Sequence, residues 1–165
     1  MLKDKKRATP FIMSYNKLYL HKKQTMPVEY IYNTSFSLKN EPLISSWINN
    51  VVVSEKHVLG NLVYAFFNDE DLRKINIKHL KQDSYTDVIS FDSSESGKIN
   101  GNIGISVDRV KENAIKYKSS FETELYRVMV HGLLHFLGYN DKTKKEKVRI
   151  RTAENRKLKM FHVKQ

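Results

Sequence analysis

Apolar residues recur along the chain at two spacings, one typical of strands and one typical of helices. Short β-branched and aromatic runs predict strands, because such side chains fit the half-buried surface of a sheet. Apolar residues three and four apart predict helices that bury one face. The predicted order is β α β α β β α α α. Strands are expected over 28–32, 61–67, 85–92 and 101–106, and helices from Pro42, over 69–80, over 108–117, from Phe121, and from Thr143 to Phe161.

Polar residues at the predicted helix starts support these boundaries. Asn68 precedes three acidic residues, and a side-chain acceptor followed by negative charge stabilises a helix N-terminus. Two later segments have capping-box spacing: Ser119 to Glu122, with Ser120 as a neighbouring candidate cap, and Thr143 to Glu146. The polar stretch 93–98 predicts a hairpin loop between the third and fourth strands. The fold class predicted is α+β, a single domain with a small mixed four-stranded sheet and surrounding helices.

Composition limits the class of protein. The chain has 165 residues, 40% of them hydrophobic, which suits one domain with a single core. We expect no transmembrane helix, because no apolar stretch approaches ~18 residues. The basic N-terminus lacks an apolar segment, so we expect no secretory signal and a cytoplasmic protein. With no cysteine, any metal must be held by His, Asp or Glu.

Positive charge is concentrated at the two ends of the chain. The net charge is +11; residues 1–25 carry +6 and residues 142–165 carry +8, which leaves −3 for 26–141. Residues 1–25 are expected to be a flexible basic extension of a folded domain over 26–165, with Met26 as an alternative start. Basic ends suit a polyanionic partner, nucleic acid above all. A solvated helix and a flexible arm would give the same pattern without a partner.

The sequence His131-Gly-Leu-Leu-His135 has two histidines four residues apart in a predicted helix. Side chains at this spacing lie on one helix face and can converge on one metal ion. Two polar core histidines would show the same spacing. Gly138 allows a sharp turn after the helix, and this turn could bring Asp141 to the same ion. The glycine turn and the carboxylate of Asp141 as a third ligand favour a metal centre over two core histidines.

The spacing matches the metzincin zinc signature with two changes. Gly132 replaces the glutamate that would act as the base of a peptidase, and Asp141 replaces the last histidine. Three protein ligands, His131, His135 and Asp141, would leave a position for water, so Zn²⁺ is the first candidate. Fe, Mn and Ni also suit this ligand set. A carboxylate lowers the net charge of the site by one, so a bound water should be less acidic than at a three-histidine site.

The segment His131–Asp141 resembles the signature H-G-x-L-H-x-x-G-Y-D-H of the YbeY family, bacterial rRNA maturation factors with a zincin-like site. A second family block, an asparagine followed by D-x-x-T-D-V-(L/I)-S-F, is matched by Asn76 and by 83–91. A third, G-D-I-x-I-S, is matched by 101–106 with Asn102 in place of aspartate. The tail block M-R-x-x-E is matched loosely by 150–154. The resemblance covers about 26–161.

This resemblance implies a metal-dependent single-strand endoribonuclease that acts in 3′-end maturation of small-subunit (16S) rRNA and in ribosome quality control. It implies one divalent ion per chain, Zn²⁺ first, held on the central helix by His131, His135 and Asp141, with the two histidines also catalytic. The expected partners are ribosomal RNA and the small ribosomal subunit, with ribosomal proteins or an assembly GTPase as further candidates and no membrane. The alternatives are a metal-binding ribosome assembly factor with little catalysis and a metal-dependent hydrolase of another substrate.

Basic residues near the histidines are candidate RNA contacts. Lys142, Lys144 and Lys145 directly follow Asp141, and Arg127 lies one turn before His131. An ion pair of Arg127 with Glu124 or Glu122 is the alternative.

Two further positions qualify the prediction. Many family members have an arginine associated with RNA cleavage in the helix before the T-D-V block, and Leu80 stands at that position. Glu154 falls on the inner face of the last predicted helix, where a carboxylate is either paired with a cation or functional.

Overall fold

The computed structural model describes residues 28–162, so the predicted extension over 1–25 and the alternative start at Met26 lie outside the described residues. The predicted order of strands and helices is confirmed. The elements are β1 (Val28–Tyr32), α1 (Glu41–Ser54), β2 (Val58–Phe67), α2 (Asp69–Leu80), β3 (Val88–Asp92), β4 (Lys98–Ser106), α3 (Val107–Lys116), α4 (Phe121–Phe136) and α5 (Lys144–His162).

The strands of the described part form one mixed sheet in the order β1-β2-β4-β3. β1 and β4 both run parallel to β2, whereas β3 pairs antiparallel with β4. The β3–β4 pair is the predicted hairpin, and it places β3 at an edge of the sheet. The predicted α+β class with a four-stranded mixed sheet is confirmed.

Three predicted strand boundaries were wrong. β2 and β4 each begin three residues earlier than expected, because their pairing continues past Gly60 through an irregularity between Leu59 and Leu62. β3 begins three residues later, at Val88. The ring of Tyr85 lies instead beside two guanidinium groups, 5.1 Å from Arg73 and 4.9 Å from Arg109. These contacts hold the chain outside the sheet before β3.

The helix caps follow the sequence with one exception. Asn68 caps α2, and Thr143 and Glu146 exchange the two hydrogen bonds of a capping box. The capping box predicted for Ser119 is wrong. Ser120 is the cap of α4, its hydroxyl accepting from the backbone of Thr123 at 3.1 Å, while the buried hydroxyl of Ser119 has no partner among the described residues.

The helices cover both faces of the sheet, and α4 is the central one. The larger core cluster joins β1, β2 and β4 to helices α1, α4 and α5, while α2 covers the opposite face. α4 contacts α3, α5, β3 and β4. At Gly132 it lies close against the sheet, because a β-carbon there would be 2.9 Å from Ile103 Cγ2 and 2.9 Å from Ser90 Oγ. The helix therefore presents its two histidines directly beside the edge strand β3.

None of the helices in the described part combines the length and the apolar character needed to cross a bilayer.

Candidate metal centre

Three predicted ligands converge at the C-terminal end of α4. The Nε2 atoms of His131 and His135 are 3.1 Å apart. Oδ2 of Asp141 lies 3.7 Å from the first and 3.8 Å from the second. One ligand atom from each of the three residues lies within 4.8 Å of the ligand atoms of the other two. The structure thus brings together the three side chains that the sequence singled out.

The turn after α4 delivers Asp141 to the histidines. Gly138 has a φ of +87°, a left-handed conformation that glycine adopts without a steric penalty. The backbone N–H of Gly138 donates to the His135 carbonyl at 3.1 Å, and that of Tyr139 donates to the Leu134 carbonyl at 3.0 Å. These bonds close the end of the helix and reverse the chain, as the glycine predicted.

The outer nitrogens of both imidazoles have acceptor partners. Nδ1 of His131 lies 2.7 Å from Oε1 of Glu154, and Nδ1 of His135 lies 3.0 Å from the backbone oxygen of Tyr139. A carboxylate and a carbonyl only accept, so each neutral ring carries its proton on Nδ1. Both Nε2 lone pairs then face each other and the Asp141 carboxylate.

Three acceptors that face one another within 4 Å repel unless a cation lies between them. The residues present therefore fit a bound metal: two imidazole nitrogens, one carboxylate oxygen, and an acceptor behind each ring, the arrangement that fixes histidine ligands in metalloproteins. His131, His135 and Asp141 would hold the ion.

Glu154 is the most connected charge beside the centre. It is buried, and its carboxylate also accepts from Arg127 at 3.1 Å and from Arg151 at 3.0 Å. Burial raises the pKa of Glu154, but its bonds to His131 and the two arginines lower that pKa by more, so the group stays ionised. Burial likewise lowers the pKa of His131, yet the bond to Glu154 and its charge raise it above the ordinary value.

The Tyr139 carbonyl is fixed by a cluster on the opposite side of the loop. The Tyr139 hydroxyl donates to Glu55 at 3.2 Å and accepts from Arg156 at 3.3 Å. Glu55 is also bound by the buried Lys157, which donates to Ser54 at 2.7 Å. This cluster joins the end of α1 to α5 and holds the loop that positions His135.

The residues that support the two histidines differ in how far the sequence indicated them. Glu154 was expected on the inner face of its helix, either paired with a cation or functional. It pairs with two arginines, and its carboxylate also contacts Nδ1 of His131. The role of the Tyr139 backbone and of Glu55 had no signal, because neither backbone direction nor the packing of α1 on α5 can be read from spacing.

A cavity of about 400 Å³ opens onto the three ligands. Its walls come from the end of α2, from β3 and from α4, and they include Leu80, Asp87 and Ser90. Leu80 is 44% exposed.

The predicted RNA contacts differ in accessibility. Lys142, Lys144 and Lys145 are all exposed just beyond Asp141. Arg127 is largely buried and donates to Glu154 and to Asn155, the latter at 2.8 Å. Its Nε also lies 3.9 Å from Glu124, so the ion pair given as its alternative is present, although loosely.

Comparison with known proteins gives one consistent family. The family model described as Endoribonuclease YbeY matches residues 31–162. The Endoribonuclease YbeY of Flavobacterium johnsoniae is 44% identical over 138 residues, covering 84% of this chain and 99% of that protein. The protein of the same name from Cytophaga hutchinsonii is 46% identical over 127 residues, covering 76% of this chain and 89% of that protein.

A solved structure supports the fold. The solution structure of a Thermotoga maritima protein superposes with a TM-score of 0.58 and 22% identity, covering 81% of this chain and 88% of that chain.

Proposed function

The chain belongs to the YbeY endoribonuclease family, and on this premise we propose that it is a metal-dependent endoribonuclease that cuts single-stranded RNA in 3′-end maturation of 16S rRNA and in ribosome quality control. The observation that carries the proposal is the convergence of the two Nε2 atoms and the Asp141 carboxylate beside an open cavity. Ribosomal RNA within the small subunit is the proposed partner.

The residues of the centre have separate tasks. His131, His135 and Asp141 hold the ion, with Zn²⁺ the first candidate. Glu154 and the Tyr139 carbonyl keep both rings in the tautomer that offers Nε2. When bound, such an ion polarises a phosphodiester oxygen or activates a water. The neighbouring lysines, with Arg127 as a further candidate, draw the phosphate backbone to the cavity.

Peptide hydrolysis is the weaker alternative. The metzincin base would stand at position 132, where glycine has no side chain that could act as a base. A β-carbon there would lie 2.9 Å from Ile103 Cγ2 and 2.9 Å from Ser90 Oγ, so adding a side chain would require these neighbours to shift. A phosphodiester beside exposed lysines fits the centre better.

A second candidate function is ribosome assembly by binding, with little catalysis. Leu80 is the observation that favours it, since an apolar side chain lines the cavity at the position where the family resemblance implies an arginine in many members. A Leu80→Arg variant tests this alternative directly. If the wild type cuts poorly and Leu80→Arg cuts faster, the chain is a weak nuclease whose main task is binding.

The deciding experiment compares the full chain with His135→Ala and Asp141→Ala. Each protein is assayed for bound metal and for cleavage of precursor 16S rRNA 3′ ends in immature ribosomes. We expect both variants to lose metal and cleavage together. His57→Ala is the matched control, because His57 lies outside the ligand group and its ring Nδ1 lies 2.7 Å from the backbone oxygen of Glu55. Equal cleavage by the wild type and Asp141→Ala would refute the metallonuclease proposal.

A further inference from the structure

A second cavity adjoins the metal centre on the far side of His131. It also measures about 400 Å³ and lies between α3, α4 and α5. The two cavities share Asp87, Val88 and His131 as common wall. A chain of nucleotides crossing the metal centre can therefore place a neighbouring base in this second space.

Glu124 gives the second cavity its chemical character. The residue is only 4% exposed, and it lines the cavity. Among the described residues its carboxylate has no hydrogen-bond partner, and the nearest cation, Nε of Arg127, is 3.9 Å away. Nη1 of Arg127 is instead engaged with Glu154 and Asn155. A buried carboxylate without donors is costly, so this one is suited to a ligand that brings N–H groups.

The rim of the cavity offers a flat surface and a cation. Tyr117 lines the cavity with 52% of its surface exposed, and exposed aromatic rings stack on bases in single-stranded RNA. Arg151 lines the cavity, is half exposed and uses one nitrogen, Nη1, to bind Glu154, which leaves its other guanidinium nitrogens available to a ligand. The cavity thus combines a stacking ring, a cation and a deep pair of acceptor oxygens.

We propose that this cavity binds a guanine base next to the scissile phosphate, with Glu124 accepting the N1–H and N2–H groups. The proposal rests on the proposed ribonuclease function. Guanine is the base that presents two adjacent donors to a carboxylate; adenine and cytosine present one amino group beside an acceptor nitrogen, and uracil one N–H between two carbonyls. The acceptor beside the donor would repel the second carboxylate oxygen.

Binding is tested with 5′-GMP and 5′-IMP on the full-length, metal-loaded chain. The two nucleotides share the phosphate and the N1–H group and differ in the N2 amino group, so contacts to the metal centre cancel in the comparison. Because a hydrogen bond to a charged group is lost, we expect GMP to bind about tenfold more tightly than IMP. Backbone NMR shifts should change at Tyr117 and Val128. Equal dissociation constants for the two nucleotides would overturn the proposal without any variant.

Single-residue variants test whether Glu124 causes the preference for GMP over IMP. Glu124→Gln should remove the difference between GMP and IMP, whereas Glu122→Gln, an exposed carboxylate in the same helix, should leave it unchanged. Tyr117→Ala should weaken GMP and IMP equally, since stacking does not depend on the amino group. A guanine preference that survives in folded Glu124→Gln would place the base elsewhere and overturn the assignment.

Cleavage separates this inference from the proposed function. Single-stranded RNAs with one guanine at successive positions should be cut at a constant distance from that guanine, with kcat/KM about tenfold lower when inosine replaces it. A chain that binds GMP selectively but never cuts RNA would keep the guanine site and lose the nuclease function. A chain that cuts RNA regardless of guanine would keep the nuclease function and overturn the guanine site.

Discussion

Nδ1 of His131 lies 2.7 Å from Oε1 of Glu154, a contact that joins the central helix α4 to the last helix α5. It orients the imidazole and increases its basicity, because the partner is an ionised, buried carboxylate.

Glu154→Gln should therefore weaken metal binding by about 10- to 100-fold. The amide can still accept the Nδ1–H bond, but it removes the negative charge behind the ring. Competition with a chromophoric chelator measures the affinity, with Glu122→Gln as the control carboxylate in α4. An unchanged metal affinity in folded Glu154→Gln would show that the carboxylate only pairs with the arginines.

The close contact at Gly132 can be measured by a double-mutant cycle. Gly132→Ala should destabilise the protein by about 1 kcal/mol, because overpacking costs ~1–3 kcal/mol and the gain in helix propensity returns up to ~1 kcal/mol. In a Ser90→Ala background the loss should shrink, since one of the two clashing atoms is gone. Urea unfolding gives both values, and purely additive effects would argue against the contact with Ser90.

The cluster around Glu55 should make stability depend on pH. Burial raises the pKa of Glu55, but bonds to Lys157 and Tyr139 and the charge of Arg156 lower it below its ordinary value of 4.5. The unfolded chain therefore takes up the proton first as pH falls. The stabilisation is complete above about pH 5 and disappears as pH drops through the folded-state pKa.

The contribution of Glu55 to this pH dependence is measured by comparing the unfolding free energy of the wild type with that of Glu55→Gln. The difference in unfolding free energy should be largest near neutral pH and should narrow below pH 4.5. Other acids titrate in both proteins and cancel in the comparison. A difference that stays constant from neutral to acid pH would mean that the carboxylate charge contributes nothing.

The exposed lysines after Asp141 should govern the salt dependence of RNA binding. Replacing Lys142, Lys144 and Lys145 by glutamine should reduce the slope of log K against log salt by about 2, given ~0.7 for each phosphate contact on a single strand. The control replaces three exposed lysines on other elements, Lys74, Lys98 and Lys111. If both triple variants change the slope equally, the lysines act through net charge alone.

Much of this fold and its centre follows from local patterns in the sequence. β1 and α2 have the predicted bounds, because each is limited by clear signals: a β-rich run in one, a cap and an acidic first turn in the other. The three candidate ligands converge because helix spacing and a glycine turn are local geometry.

What could not be predicted depends on contacts between distant parts of the chain. β3 starts at Val88 because Arg73 and Arg109, far apart in sequence, hold Tyr85. The cap shifted from Ser119 to Ser120 because neighbouring serines offer the same chemistry and packing selects one. The second cavity arises where three helices meet, and hydrophobic periodicity carries no information on the space between them.

The tight approach of helix and sheet at Gly132 also bears on the history of this centre. Glycine and glutamate codons can differ by one nucleotide, so a zinc peptidase base is formally one mutation away. A β-carbon at this position would lie 2.9 Å from Ile103 Cγ2 and 2.9 Å from Ser90 Oγ, so that mutation would also lower the stability of the fold. A change towards the peptidase signature at this position would therefore require compensating changes in Ile103 or Ser90 of the sheet as well as the new base.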